Sequence, residues 1–121
     1  MGSVKVLDTN AIIYLVNDRL STSLPAEGFL VSVISQIELL GWRNLGEQEE
    51  QAIRKVLAEV TIVGLDETIV EKVIELRRST TLRIPDAIVA ATAIVSNAEL
   101  ITLDRAFANV PGIRIFPIDL K

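Results

Sequence analysis

The stretch Val4-Lys5-Val6-Leu7-Asp8-Thr9-Asn10-Ala11-Ile12 sets the expected fold, because a short apolar run ends in an acid and helical periodicity follows at once. Residues Val4 to Leu7 have the composition of a β-strand. From Ala11 to Val16 the apolar residues recur at the spacing of one helix face. The sequence therefore predicts a strand that delivers Asp8 to its carboxyl end, followed by a helix.

The same alternation of strand and helix continues along the chain. Leu20 to Gly28, which contains Pro25, is predicted to be a loop. Strands separated by helical crossovers predict a parallel sheet with helices on both faces, which is the doubly wound α/β class. Further strands are predicted at Phe29 to Val33, Thr61 to Val63, Glu99 to Thr102 and Ile113 to Phe116, and further helices from near Ser35 to near Gly41, over Glu47 to Val60, from Asp66 to Arg78 and from Pro85 to about Ser96.

Composition restricts the chemistry that the chain can perform. With 121 residues, half of them hydrophobic, residues 1–121 are expected to form a single domain. The absence of cysteine and histidine excludes disulfides, thiolate or imidazole metal ligands and a histidine base, so only oxygen ligands remain. There is no apolar run long enough to cross a bilayer and no signal peptide, so a cytoplasmic protein is expected. No function is assigned to Met1-Gly2-Ser3.

The charge of the chain also limits its partners. A net charge of −4 argues against a protein that coats nucleic acid through phosphate contacts, although it is compatible with an enzyme. Aromatic residues make up only 4% of the chain, so no stacking platform for bases is apparent. Any contact with RNA is expected to use backbone and shape.

Four acids stand where a predicted strand ends or a predicted helix begins. They are Asp8, Glu38, Asp86 and Asp104. The carboxyl ends of parallel strands meet at one crevice, so acids that are distant in sequence can share a site there. A first strand at the centre of the sheet would create the switch point that gathers Asp8 and Asp104. The predicted site would bind Mg²⁺ or Mn²⁺, since oxygen-only ligation suits these hard cations.

Each acid also has a purely structural interpretation. Ser35-Gln36-Ile37-Glu38 has the form of a capping box, Asp86 follows a helix-starting proline, and Asp104 could cap a short turn. The joint pattern favours a metal site, because Asp8, Glu38 and Asp86 lie in apolar surroundings and are expected to be partly buried. Two carboxylates about 5 Å apart repel by roughly 3 kcal/mol at an effective dielectric constant near 20, so such a group needs a cation.

At these positions the chain resembles the PIN-domain family, and in particular the VapC-type toxin ribonucleases of toxin–antitoxin pairs. The similar segments follow the family's order and cover nearly the whole chain. They are Leu7-Asp8-Thr9-Asn10, Ser32 through Glu38-Leu39-Leu40-Gly41, Pro85-Asp86-Ala87-Ile88-Val89-Ala90-Ala91-Thr92-Ala93, and Thr102-Leu103-Asp104 followed by Phe107.

The resemblance implies a three-layer α/β/α fold with a central, mostly parallel sheet of four to five strands. It also implies a Mg²⁺- or Mn²⁺-dependent endoribonuclease, commonly a homodimer, that is inhibited by a small antitoxin. By the resemblance Asp8, Glu38, Asp86 and Asp104 form the acidic catalytic and metal site. Thr9, Asn10 and Thr102 are expected to orient the carboxylates or bound water, although Thr102 could simply end a strand.

Several assignments stay open at the level of sequence. Arg43, Arg83 and Arg105 are candidate RNA contacts, but a solvated surface or a salt bridge explains them equally well. Trp42 could belong to the core or to a groove for a partner. A receiver-like Mg²⁺-binding domain matches poorly, because Asp8 is followed by Thr9 rather than by a second acid. A housekeeping PIN nuclease and a catalytically degenerate PIN scaffold remain as alternatives.

Overall fold

A computed structural model of the chain describes residues 4–24 and 28–121. Met1-Gly2-Ser3 and Pro25 of the predicted loop lie outside these ranges. In chain order the elements are β1 (Lys5–Leu7), α1 (Thr9–Val16), β2 (Phe29–Ser32), α2 (Val33–Leu40), α3 (Glu47–Ala58), β3 (Thr61–Val63), α4 (Glu67–Ser79), α5 (Ile84–Val95), β4 (Glu99–Ile101), a 3₁₀ turn (Arg105–Phe107) and β5 (Ile115–Phe116).

The strands form one parallel sheet in the order β3-β2-β1-β4-β5. The predicted parallel sheet is confirmed, and β1 lies at its centre: Val6 pairs with Leu30 of β2 on one side and with Leu100 of β4 on the other. A receiver-like domain would have the order 2-1-3-4-5. The observed order excludes that alternative and creates a switch point between β1 and β4.

Helices cover both faces of the sheet, which confirms the three-layer arrangement. Successive residues of a strand point to opposite faces. Val6 and Leu100 accordingly belong to a core with α4 and α5, whereas Leu7 and Ile101 belong to a second core with α1 and α3. The central strands are therefore buried on both faces. Packing in both cores thus fixes the strands that Asp8 and Asp104 follow.

Helix α5 is the most deeply buried helix. Pro85 lies in its first turn, as predicted, and every residue from Ala87 to Ala93 is buried. Ala90 and Ala93 are completely inaccessible to solvent, so their small side chains allow neighbouring elements to approach closely. Asn97, two residues past the end of the helix, has a φ of 53°, the left-handed conformation that commonly ends helices. The helix thus holds Asp86 at its first turn on a rigid support.

The start of α2 differs from the prediction. The helix begins at Val33, and its N-cap is Ser32, whose Oγ accepts a hydrogen bond from the backbone N–H of Ile34 at 3.2 Å. Ser35 is instead inside the helix with its side chain fully buried. The expected capping box of Ser35 and Glu38 is therefore wrong, because Ser32 already satisfies the helix terminus.

Replacement of Ala90 by leucine is expected to destabilise the fold by about 1–3 kcal/mol, because a closely packed interior has no room for the added methylenes. Urea denaturation followed by circular dichroism measures the free energy of unfolding. The matched control is Ala58→Leu on the exposed side of α3, which should change stability by less than about 0.5 kcal/mol. Equal effects of the two substitutions would contradict the close packing of α5.

Candidate metal centre

The switch point of the sheet opens on a cleft of about 760 Å³ that contains all four predicted acids. Asp8 follows β1, Glu38 lies in α2, Asp86 lies in the first turn of α5 and Asp104 precedes the 3₁₀ turn. The cleft is lined by Asp8, Thr9, Asn10, Ile13, Ile37, Glu38, Leu39, Gly41, Trp42, Arg43, Leu45, Glu49, Ile53, Asp86, Val89, Asp104 and Phe107. The structure thus brings together acids that are up to 96 positions apart, from Asp8 to Asp104.

Asp8 is the most buried of the four acids, with 6% of its surface exposed. One oxygen, Oδ1, accepts a hydrogen bond from the backbone N–H of Ala11 at 2.7 Å, which makes Asp8 the N-cap of α1. Burial raises the pKa of the Asp8 carboxyl, hydrogen bonds from Thr102 and Ala11 oppose that shift, and the charges of Asp104 and Asp86 add to it. The carboxylate is held in one orientation at an electrostatic cost.

Thr102 connects two of the acids. Its buried hydroxyl donates a hydrogen bond to Oδ2 of Asp8 and accepts one from the backbone N–H of Asp104 at 3.0 Å. Asp104 in turn caps the 3₁₀ turn by accepting from the backbone N–H of Ala106 at 2.9 Å. Thr102 does more than end a strand, because it fixes the orientation of Asp8 and the course of the backbone at Asp104.

Glu38 is positioned by a chain of hydroxyl groups. The Thr9 hydroxyl lies 2.8 Å from Oε1 of Glu38 and 2.9 Å from the hydroxyl of Ser35. Since a carboxylate can only accept and a hydroxyl has one proton, Thr9 donates to Glu38 and accepts from Ser35. Sequence reasoning assigned Thr9 as a supporting residue and missed Ser35, since the only signal was its position one helical turn before Glu38.

The expected partial burial of Glu38 is wrong, because the side chain is exposed. Helix α2 turns Ser35 and Leu39 toward the interior, whereas Ile37 and Glu38 face the cleft. The apolar residues beside Glu38 wrongly suggested burial, because Ile37, one of them, is itself 60% exposed. Glu38 therefore lines the cleft as an exposed side chain, whereas Asp8 is buried.

Asp86 is half-buried at the first turn of α5, and its carboxylate forms no hydrogen bond within residues 4–24 and 28–121. Burial raises the pKa of the Asp86 carboxyl, the negative charges of Asp104 and Glu38 raise it further, and the positive charge of Arg83 lowers it. Asp86 therefore has oxygen atoms that are free to bind a ligand, and its surroundings disfavour its negative charge.

The residues of the cleft fit a hard divalent cation by their chemistry, since every candidate ligand is a carboxylate or hydroxyl oxygen. In the part of the chain that the structure describes, no three acidic side chains have the spacing needed to hold one ion together. Glu38 and Asp104 are exposed and Asp86 is half-buried, so these side chains are not locked by packing. Asp8 has less freedom, because both of its oxygens are already hydrogen-bonded.

The three candidate RNA-binding arginines occupy different places. Arg43 lines the cleft, immediately after the exposed Trp42. Arg83 precedes α5 and is close enough to Asp86 to affect its pKa, but it lies outside the lining of the cleft. Arg105 is exposed in the 3₁₀ turn and is also outside the lining. Arg43 is the best placed of the three to meet a ligand in the cleft.

Residues 5–113 match the PIN domain, and the chain belongs to the PIN-domain family. This family consists of nucleases, which supports a nuclease role for the acidic cleft. The expectation drawn from the sequence motifs is thereby confirmed at the level of the family. No curated protein sequence matches the chain significantly.

Solved structures of toxin–antitoxin complexes contain similar chains. One from Klebsiella pneumoniae is 32% identical, with 90% of this chain and 94% of that chain covered and a TM-score of 0.73. A chain of VapBC-1 from nontypeable Haemophilus influenzae is 26% identical, with 93% and 96% covered and a TM-score of 0.73. A chain of VapBC2 from Rickettsia felis, bound to a promoter DNA fragment, shares the fold, with 20% identity, 96% and 99% covered and a TM-score of 0.77.

No helix in the described part of the chain combines the length and the apolar character that crossing a membrane requires.

Removing the charge of Asp86 is expected to stabilise the metal-free protein at neutral pH. Folding raises the pKa of the Asp86 carboxyl. The fold is therefore most stable below the unfolded pKa of about 3.9, where the carboxyl is protonated, and it loses stability as pH rises through the folded pKa and the carboxyl ionises. Asp86→Asn should therefore have a higher melting temperature than the wild type at pH 7 in EDTA. The difference should shrink toward about pH 3, which lies below the pKa of Asp86 in both the unfolded and the folded state.

The control for this measurement is Glu71→Gln, which removes a charge from the exposed surface of α4 outside the cleft. Its melting temperature should stay close to that of the wild type. If Asp86→Asn melts at a lower temperature than the wild type at pH 7, the carboxylate stabilises the metal-free fold and the electrostatic argument is wrong.

Proposed function

We propose that this chain is a Mg²⁺- or Mn²⁺-dependent endoribonuclease that hydrolyses RNA phosphodiester bonds and acts in the cytoplasm as the toxin of a toxin–antitoxin pair. The observation that carries the proposal is the meeting of Asp8, Glu38, Asp86 and Asp104 in one cleft at the switch point of a PIN fold. Structural similarity to chains of toxin–antitoxin complexes supports the biological role.

Asp8, Asp86 and Asp104 would hold the cation. A bound Mg²⁺ or Mn²⁺ would supply a Lewis acid for the scissile phosphate and lower the pKa of the attacking water. Asp8 is kept in orientation by Thr102 and Ala11, and Asp86 offers unpaired oxygens on a rigid helix. Carboxylates that repel one another in the free protein are suited to this task, because the cation removes an existing cost on binding.

Glu38 would orient the attacking water. The hydroxyl chain from Ser35 through Thr9 restrains one oxygen of Glu38 and leaves the other free to accept a proton of that water. Asn10 lines the same cleft and offers an amide that can contact water or the sugar–phosphate backbone. Arg43 would meet an RNA phosphate, while Arg83 and Arg105 would contact only RNA that extends beyond the cleft.

Asp8→Asn and Asp86→Asn should each lower the cleavage of RNA by about a hundredfold or more, since each removes a charge that the ion requires. The assay follows degradation of total cellular RNA and of a random single-stranded RNA in Mg²⁺ and in Mn²⁺, with sequencing of the cut ends. EDTA should abolish cleavage by the wild type, and readdition of either ion should restore it.

Glu71→Gln is the matched control, because it also removes a carboxylate but lies outside the cleft, and it should cleave like the wild type. Unchanged cleavage by folded Asp8→Asn and Asp86→Asn, or cleavage that persists in EDTA, would refute the assignment of the site. Stabilisation of the wild type by Mg²⁺ without cleavage of any RNA would identify a degenerate scaffold that binds metal.

The proposed partner is a small antitoxin that covers the cleft. Ile13 of α1 and Ile37 of α2 line this cleft and are 36% and 60% exposed, so an apolar segment of a partner would find a matching surface beside the acids. This chain is similar to chains of toxin–antitoxin complexes, which supports a toxin with a partner of this type over a housekeeping nuclease that acts alone. A homodimer of this chain within the complex is part of the same proposal.

A small protein encoded beside this chain should co-purify with it and inhibit RNA cleavage. Ile37→Glu should abolish co-purification, because it places a charge in the apolar contact. Ile74→Glu on the exposed side of α4, outside the cleft, is the control and should leave inhibition intact. Light scattering of the complex reports whether two copies of the chain are present.

If no adjacent small protein inhibits cleavage, although the chain is an active ribonuclease, the housekeeping nuclease becomes the better assignment.

A further inference from the structure

Trp42, the only tryptophan of the chain, lies on the lining of the acidic cleft with 66% of its surface exposed. It is not part of the core, which answers the question that the sequence left open. Its position follows from the end of α2: a Cβ on Gly41 would lie 2.6 Å from the carbonyl oxygen of Ile37, so only glycine lets the chain turn closely there. The next turn is fixed by a hydrogen bond from Leu45 N–H to the Trp42 carbonyl oxygen at 3.2 Å.

The electrostatics of the cleft raise the question of what attracts RNA to it. Its lining contains five carboxylates, Asp8, Glu38, Glu49, Asp86 and Asp104, and one basic side chain among the described residues, that of Arg43. Even with a divalent cation in place, few phosphates could be paired with cationic side chains. The affinity gained by releasing counterions grows with the number of such pairs, so this contribution is small here.

An aromatic surface can supply the missing affinity. Stacking of a nucleobase on an aromatic side chain contributes about 1–3 kcal/mol and does not depend on positive charge. The indole of Trp42 is the largest aromatic surface in the chain, and the next residue, Arg43, is the one arginine of the lining among the described residues. A base on the indole would place a neighbouring phosphate within the surroundings of Arg43, as in single-strand binding proteins that combine stacking with backbone contacts.

We propose that Trp42 stacks on an unpaired nucleobase of a single-stranded RNA and that Arg43 contacts an adjacent phosphate, so that together they form the RNA-binding subsite beside the acids. This inference rests on the proposed ribonuclease function and names how its substrate is held. The subsite selects single-stranded RNA, because a base in a duplex cannot stack on the indole. It differs from the expectation that the low aromatic content leaves only backbone and shape contacts.

The experiment uses Asp86→Asn, which is expected to be inactive, so that RNA stays intact in Mg²⁺. A random-sequence single-stranded RNA is titrated against it, with binding measured by anisotropy of labelled RNA and by the fluorescence of Trp42, the only indole. Stacking should quench that fluorescence in a saturable manner. Adding Trp42→Ala should weaken RNA binding about 5- to 150-fold, whereas Trp42→Phe should retain most of the affinity.

The matched control is Leu65→Ala, which truncates an apolar side chain that is 50% exposed but outside the cleft, and it should not alter RNA binding. A double-stranded RNA and an abasic strand with the same phosphates should bind weakly and leave the fluorescence unchanged. Unchanged affinity in Trp42→Ala, or binding without quenching, overturns the inference. Loss of antitoxin binding alone in Trp42→Ala also overturns it and assigns Trp42 to a protein interface.

Failure of this inference is distinguishable from failure of the proposed function. If the wild type cleaves RNA and Asp86→Asn does not, the ribonuclease assignment stands whatever Trp42→Ala does to binding. If the wild type neither cleaves nor binds RNA, the function and the subsite are refuted together.

Discussion

The position of β1 between two parallel neighbours is the constraint on which the rest of the structure depends. Parallel pairing of β1 with both β2 and β4 aligns the carboxyl ends of three strands at one edge. The two halves of the sheet then depart in opposite directions, and a crevice opens where they separate. Asp8 and Asp104 reach this crevice from adjacent strands, while α2 and α5 bring Glu38 and Asp86 to it.

The core makes this arrangement rigid. Val6 and Leu7 are buried in different layers, so β1 cannot shift its register without exposing one set of apolar residues. On the other side of the site, the fully buried alanines of α5 fix the position of Asp86 relative to the sheet. The backbone positions of Asp8 and Asp86 are therefore fixed by packing that does not depend on a bound ion, whereas the exposed side chains of Glu38 and Asp104 remain adjustable.

Electrostatic strain is concentrated in the same place. Burial raises the pKa of both Asp8 and Asp86, and charges on neighbouring acids act in the same direction. Structural carboxylates usually have a compensating partner, as Asp66 does when it accepts a hydrogen bond from Ile69 N–H at 2.8 Å. The Asp86 carboxylate accepts no hydrogen bond among the described residues, and the positive charge of Arg83 only partly offsets the effects that raise its pKa. Its burial is therefore consistent with a function that opposes the stability of the free protein.

The sequence by itself determined the class of fold, the order of elements and the acids to be tested, because strand and helix periodicity, Pro85 and the left-handed Asn97 act over a few residues. Only the tertiary structure decided which of these groups meet. The Ser35–Thr9–Glu38 chain joins residues 29 positions apart, Glu38 turned out to be exposed, and Trp42 proved to lie on the cleft rather than in the core. Burial and hydrogen bonding between distant segments depend on how helices are placed on the sheet, and local patterns do not contain that information.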